Sequence, residues 1–185
     1  MHELGILSRN TTIAHSVWVS EQDIEMMGDA RCSVAHNAIS NQKLGAGIAP
    51  VRQLMDAGVS IGLGTDGVSS NDTARIFNVM RVDGLIHSVS VPDSAKWIRA
   101  DEILTMATIG GARSAMLENV TGSLEIGKAA DLLIIDLSTL SFTPLNDVAK
   151  HLVYPENGSS IETVMVAGEI VVDRGAMRTI DEAAI

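Results

Sequence analysis

Val59-Ser60-Ile61-Gly62-Leu63-Gly64-Thr65-Asp66-Gly67 is the stretch whose reading decides the fold. Ile61 to Leu63 is a short apolar run of the kind that forms a buried strand. The stretch ends in a carboxylate, Asp66, followed by Gly67 and the polar run Val68-Ser69-Ser70-Asn71-Asp72. Parallel α/β barrels present catalytic groups in this way, one acid at the carboxyl end of a strand, before a loop and a helix. The competing reading is an Asp-Gly hairpin turn. It needs a second strand directly after Gly67, and Val68 to Asp72 is too polar to supply one.

Two similar units precede it. Thr11-Thr12-Ile13-Ala14 leans towards a strand and ends at His15, and Cys32-Ser33-Val34-Ala35 is a second, ending at His36. Between them, Ser20 with Asp23 three residues on predicts a capping box, with Ile24 and Met27 facing inward. Asn37 to Gly47 reads as a polar, glycine-rich loop. Pro50 fits the first turn of a helix with Val51, Leu54 and Met55 on one face, stopped by Gly58. The order is strand, helix, strand, helix, strand, which implies a parallel sheet. In such a sheet His15, His36 and Asp66 emerge at one end.

After Asp72, a candidate N-cap, residues 74–90 read as a longer helix carrying Ile76, Val79 and Met80. His87 lies near its carboxyl end, where the macrodipole favours a cation, and is read as structural. Asp101 is a candidate cap for a helix burying Ile103, Leu104 and Ala107. Gly110-Gly111 interrupts it and residues 112–117 resume. From Asn119 the pattern turns to β: a short strand within Gly122 to Gly127, the run Asp131 to Asp136, and a hairpin from Ile161 to Val172 turning near Ala167-Gly168. A short helix is expected over 147–152. The reading divides the chain into a unit at 1–118 and a small β-domain at 119–185.

The totals narrow the class. The chain has 185 residues, 46% of them apolar, with two Trp, two Phe and one Tyr, so the core is aliphatic. A net charge of −10 argues against nucleic acid or an anionic membrane as partner. No uncharged apolar run approaches the ~20 residues of a membrane span. The amino terminus lacks the basic flank and apolar core of a signal peptide, and a cytoplasmic chain is expected. One cysteine, Cys32, excludes an internal disulfide.

Ile13-Ala14-His15, Val34-Ala35-His36 with Ser40-Asn41, and Gly64-Thr65-Asp66-Gly67, in this order, resemble the amidohydrolase superfamily. More narrowly they are similar to its aminohydrolase branch of S-adenosylhomocysteine/5-methylthioadenosine, guanine and 8-oxoguanine deaminases and s-triazine hydrolases. Gly122 to Leu132 looks like that family's return strand, and Thr163 to Val172 like its closing hairpin. The resemblance implies the C-terminal part of a metal-dependent (β/α)8 TIM barrel, strands 6 to 8, plus part of a composite β-sandwich. It implies that Asp66 ligates a metal, zinc or alternatively iron, and takes a proton from its water. It makes His15 the residue that stabilises the tetrahedral centre, and it sets His36, Ser70 and Asn71 at the substrate. The implied substrate is a small heterocyclic amine and the implied whole enzyme a homodimer.

The family's HxH and HxxE motifs are absent from the chain. A full barrel takes ~250 residues. The reading is therefore a fragment, inactive alone, of an enzyme hydrolysing non-peptide C–N bonds. Two rivals stand beside it. A cyclic-amide hydrolase of the same superfamily tends to carry a histidine where Gly67 stands. A non-catalytic remnant or partner subunit would explain the missing motifs. A dinucleotide-binding domain lacks its G-x-G-x-x-G after a strand.

Overall fold

The computed structural model describes residues 3–181. Strand β1 (Thr12–Ala14) leads to helix α1 (Glu21–Asp29), strand β2 (Ser33–His36), helix α2 (Ala38–Lys43), helix α3 (Val51–Asp56) and strand β3 (Ser60–Leu63). The strands form one parallel sheet in the order β1-β2-β3, with Ile13 beside Val34 and Val34 beside Ile61. β2 is central and largely buried, as expected where helices cover both faces of a parallel sheet. The strands are shorter than the sequence suggests: β2 starts after Cys32, and β3 stops at Leu63, three residues before Asp66.

Local chemistry sets most of the ends. Ser20 and Asp23 form the capping box at α1, Ser20 Oγ accepting from Asp23 N–H and Asp23 Oδ2 from Ser20 N–H. Gly58 ends α3 with φ at +85°, a conformation glycine adopts without steric cost. Two parts of the expected loops are helical instead. Residues 38–43 form α2, and Val68–Asn71 forms a single-turn helix, α4. Both are too short to show the apolar periodicity that marks longer helices. Asp72 does not cap the next helix: it closes α4 in the left-handed region, and helix α5 (Ile76–Ser90) begins behind Arg75.

Helix α6 (Ala100–Thr105) is capped by Arg99, not Asp101; the Glu102 side chain takes the Arg99 N–H. Gly110-Gly111 does not break the helical path. A π-helical turn at Met106–Gly110 runs directly into helix α7 (Gly111–Ser114). Two glycines serve packing here. A Cβ on Gly110 would sit 2.1 Å from the Ile61 carbonyl oxygen, and one on Gly62 would sit 2.5 Å from Ser114 Oγ. The missing Cβ atoms let the helix lie directly on β3.

The segment Gly122–Gly127 forms turns and no strand. Both terminal glycines have positive φ, and Leu124 and Ile126 are exposed. Strand β4 (Leu132–Ile135), helix α8 (Val148–Val153) and strands β5 (Ile161–Val166), β6 (Glu169–Asp173) and β7 (Ala176–Met177) complete the described chain. The four strands make an antiparallel sheet, β4-β5-β6-β7. Its β5–β6 turn has both Ala167 and Gly168 at positive φ, as a tight hairpin requires. Asp147 caps α8 through Lys150 N–H. This helix lies against α5 and α6, and Val153 joins the core of Val34, Val51, Leu54, Ile61, Met80 and Ile103. That core is aliphatic, as the composition predicts.

Candidate active site

His15 directly follows β1, and Asp66 lies three residues beyond β3, at the same end of the parallel sheet. Both residues have left-handed backbones, with φ of 66° and 58°. Such conformations in residues other than glycine are uncommon and gather at functional sites, where surrounding contacts hold them.

Those contacts come from α2. Ser40 Oγ donates to Asp66 Oδ2 at 2.6 Å, and the next residue, Asn41, places Oδ1 2.7 Å from His15 Nδ1. Ser40 and Asn41 are themselves buried. Asn41 Oδ1 is an acceptor, so His15 Nδ1 carries the proton and Nε2 has no partner among the described residues. Ser70 Oγ lies 3.0 Å from Asp66 Oδ2 and 2.9 Å from Gly67 O, so its one proton serves either acceptor. Hydrogen bonds from Ser40, the Gly67 backbone and Ser70 hold the Asp66 carboxyl below the usual range; His15 adds a smaller electrostatic pull. Asp66 Oδ1 takes part in neither serine bond.

The surrounding loop is latched to the same helix. Lys43 Nζ donates to Asp72 Oδ2 at 2.6 Å and to Ser69 O at 3.0 Å. Asn71 Nδ2 donates to Thr65 O at 2.6 Å, and its side chain is buried. Asn71 thus braces the loop from within. Ser70 acts on Asp66. The His36 ring is 1% exposed and turned to Asp83 and His87. Two concavities lie elsewhere. One, about 630 Å³, lies beside Arg31, Ser60 and Arg113; the other, about 710 Å³, is an apolar groove between Phe77, Leu104 and Leu133.

The bracing by Ser40 and Asn41 is not legible in the sequence, although both residues belong to the motif. Their helix is too short to declare itself, so no spacing argument attaches to them. The meeting of His36, Asp83 and His87 is equally hidden. An acid four residues before a histidine on one helix is the one signal of it that the sequence carries.

Residues 1–171 match the model of the Amidohydrolase family. The chain belongs to that family. It is 38% identical over its full 185 residues to a 5'-deoxyadenosine deaminase of Methanosarcina barkeri, 42% of whose length it covers. To the 5-methylthioadenosine/S-adenosylhomocysteine deaminase of Natronomonas pharaonis it is 39% identical over 183 residues, 99% of this chain and 42% of the relative. Its fold superposes on a zinc-bound adenosine deaminase of Xanthomonas campestris with a TM-score of 0.94 at 31% identity, over 98% of this chain and 41% of that one. The chain thus spans about two fifths of the length of these amidohydrolases and corresponds to their C-terminal part. Among its described residues no helix is long and apolar enough to cross a membrane.

Asp66 suits a metal of the kind bound in the Xanthomonas protein: Oδ1 is a carboxylate oxygen outside both serine bonds, at the strand end. One such ligand does not make the site, since catalytic zinc normally takes three protein ligands.

Proposed function

We propose that the whole protein is a metal-dependent aminohydrolase that removes the amine from an adenosine-type or related N-heterocycle. The observation that carries this reading is the paired bracing of Asp66 and His15 by consecutive residues of α2. It fixes one acid and one imidazole together at the open end of the sheet. The names of the relatives, deaminases of 5'-deoxyadenosine and 5-methylthioadenosine, support the substrate class. The zinc in the Xanthomonas relative supports zinc over iron.

In this reading the metal, when bound, lowers the pKa of a water towards ~7. The chain's own residues do the rest. Asp66 would hold the metal through Oδ1 and take the water's proton on Oδ2, which Ser40 orients and from which the Ser70 proton can turn to Gly67 O. His15, held by Asn41 at Nδ1, would present the Nε2 lone pair as an acceptor for the hydroxyl that attacks the substrate. The chain divides near residue 118 into two units, with α8 of the second packed into the core of the first, and the whole protein is a cytoplasmic homodimer.

The test is to read the coding DNA upstream of Met1 and assay the whole protein for ammonia release from 5'-methylthioadenosine. An in-frame HxH and HxxE, with release lost in Asp66→Asn, is the expected result. An upstream frame without those motifs, or a whole protein inert on amino-purines, overturns it.

A further inference from the structure

His36, Asp83 and His87 meet inside the core, and none is more than 3% exposed. His36 ends β2, and Asp83 and His87 stand four residues apart on α5, on one face of the helix. His36 Nε2 lies 3.0 Å from Asp83 Oδ1, His87 Nε2 lies 3.2 Å from the same oxygen, and the two nitrogens are 3.3 Å apart. Ligand atoms around a tetrahedral zinc, with bonds of 2.0–2.1 Å, stand roughly 3.3 Å from one another. The triangle of donor atoms is thus close to one face of such a tetrahedron.

Hydrogen bonding alone leaves the group short. Both ring nitrogens are within ion-pair distance of Asp83, yet neither carboxylate oxygen receives an aligned hydrogen bond, and His36 Nδ1 has no partner either. A buried carboxylate is costly unless its charge and lone pairs are met. The two Nε2 atoms can share one hydrogen bond, but Asp83 between them has no aligned donor, so the three ligand atoms resemble a set gathered round one cation. Two ligands at i and i+4 on a helix, with a third from a strand end, is a spacing that suits it.

We propose that His36, Asp83 and His87 bind one divalent cation of the zinc class, as a structural site. Two imidazoles and a carboxylate suit zinc among the common divalent ions. Asp83 Oδ2, also without a partner, belongs to the same carboxylate as Oδ1, so the three side chains fill three positions and the fourth is left to a water. The cation joins the end of β2 to α5, directly before the helix whose Ser40 and Asn41 brace Asp66 and His15. Such a site stands whether or not the whole protein is a deaminase.

The experiment uses the 185-residue chain, stripped with a chelator and given one equivalent of Co²⁺ or Zn²⁺. The expected result is about one metal retained per chain after gel filtration, a visible four-coordinate Co²⁺ spectrum, and Zn²⁺-dependent shifts of the His36 and His87 ring nitrogens by NMR. Asp83→Asn and His87→Gln should each weaken retention by at least about 100-fold, the upper end of what loss of an outer-shell partner costs. Asp66→Asn should leave it unchanged, which separates this site from the Asp66 centre. Should a variant fail to fold, the ring shifts of the unaltered chain decide. Ring signals that do not move with Zn²⁺, or retention abolished only by Asp66→Asn, overturn the proposal and leave a metal-free His-Asp-His cluster.

Discussion

Ser40 Oγ donates to Asp66 Oδ2 across 2.6 Å and is the strongest single influence lowering that carboxyl's pKa. Asp66 has a folded pKa below its unfolded value, so its stabilising effect is complete above the ordinary carboxylate value of ~3.9 and is lost as pH falls through the folded value. Ser40→Ala should raise the Asp66 pKa towards the ordinary value and narrow that acid window. Carboxyl ¹³C NMR titration reads it directly. An Asp66 titration unmoved by the change would remove Ser40 from the site.

Asn41 plays the matching part for His15. Asn41→Leu removes the acceptor at Nδ1, and the ring should pass from one tautomer to a mixture of two, visible in its ¹⁵N shifts. The lost hydrogen bond costs about 1 kcal/mol of stability. Asn41→Asp keeps an acceptor and should preserve the tautomer. In the whole enzyme, loss of His15 itself should lower kcat by ~10²–10⁴, the usual contribution of one positioned proton acceptor.

The two adjacent glycines at the end of the π-turn should respond in opposite directions. A Cβ at Gly110 would sit 2.1 Å from Ile61 O, whereas the nearest atom to one at Gly111 is Met106 O at 3.8 Å. Gly110→Ala should destabilise by about 1–3 kcal/mol through overpacking. Gly111→Ala has room and should stabilise by up to about 1 kcal/mol through helix propensity. Urea unfolding of both variants checks the contrast; equal losses at both sites would refute the packing role.

The parallel sheet leaves two edges open. Among the described residues, β1 and β3 each pair with β2 alone. Unpaired strand edges invite association. The isolated chain should therefore elute in size-exclusion chromatography with an apparent mass that rises with concentration. Ala14→Lys, on the exposed face of β1, should reduce this. A compact monomer at every concentration would show that the edges are protected.

The alternating strands and helices, the carboxylate after β3, the capping box at Ser20 and the hairpin at Ala167-Gly168 are all legible in the linear order. Each depends on periodicity or on chemistry confined to a few neighbouring residues. Gly110-Gly111 shows where such reading fails. A glycine pair reads as a break by propensity, and only the approach of Ile61, far away in sequence, shows that Gly110 is a contact surface.

The site divides along the same line. Sequence by itself determined that His15 and Asp66 belong to one end of a parallel sheet, because strand order and direction follow from the connecting helices. Only the tertiary structure decided which polar neighbours hold them, and it buried His36 against Asp83 and His87. Ser40 reaches Asp66 across 26 positions and His36 meets His87 across 51. Partners so far apart along the chain leave no local signal, since the free energy that selects them comes from packing α2 and α5 against the sheet.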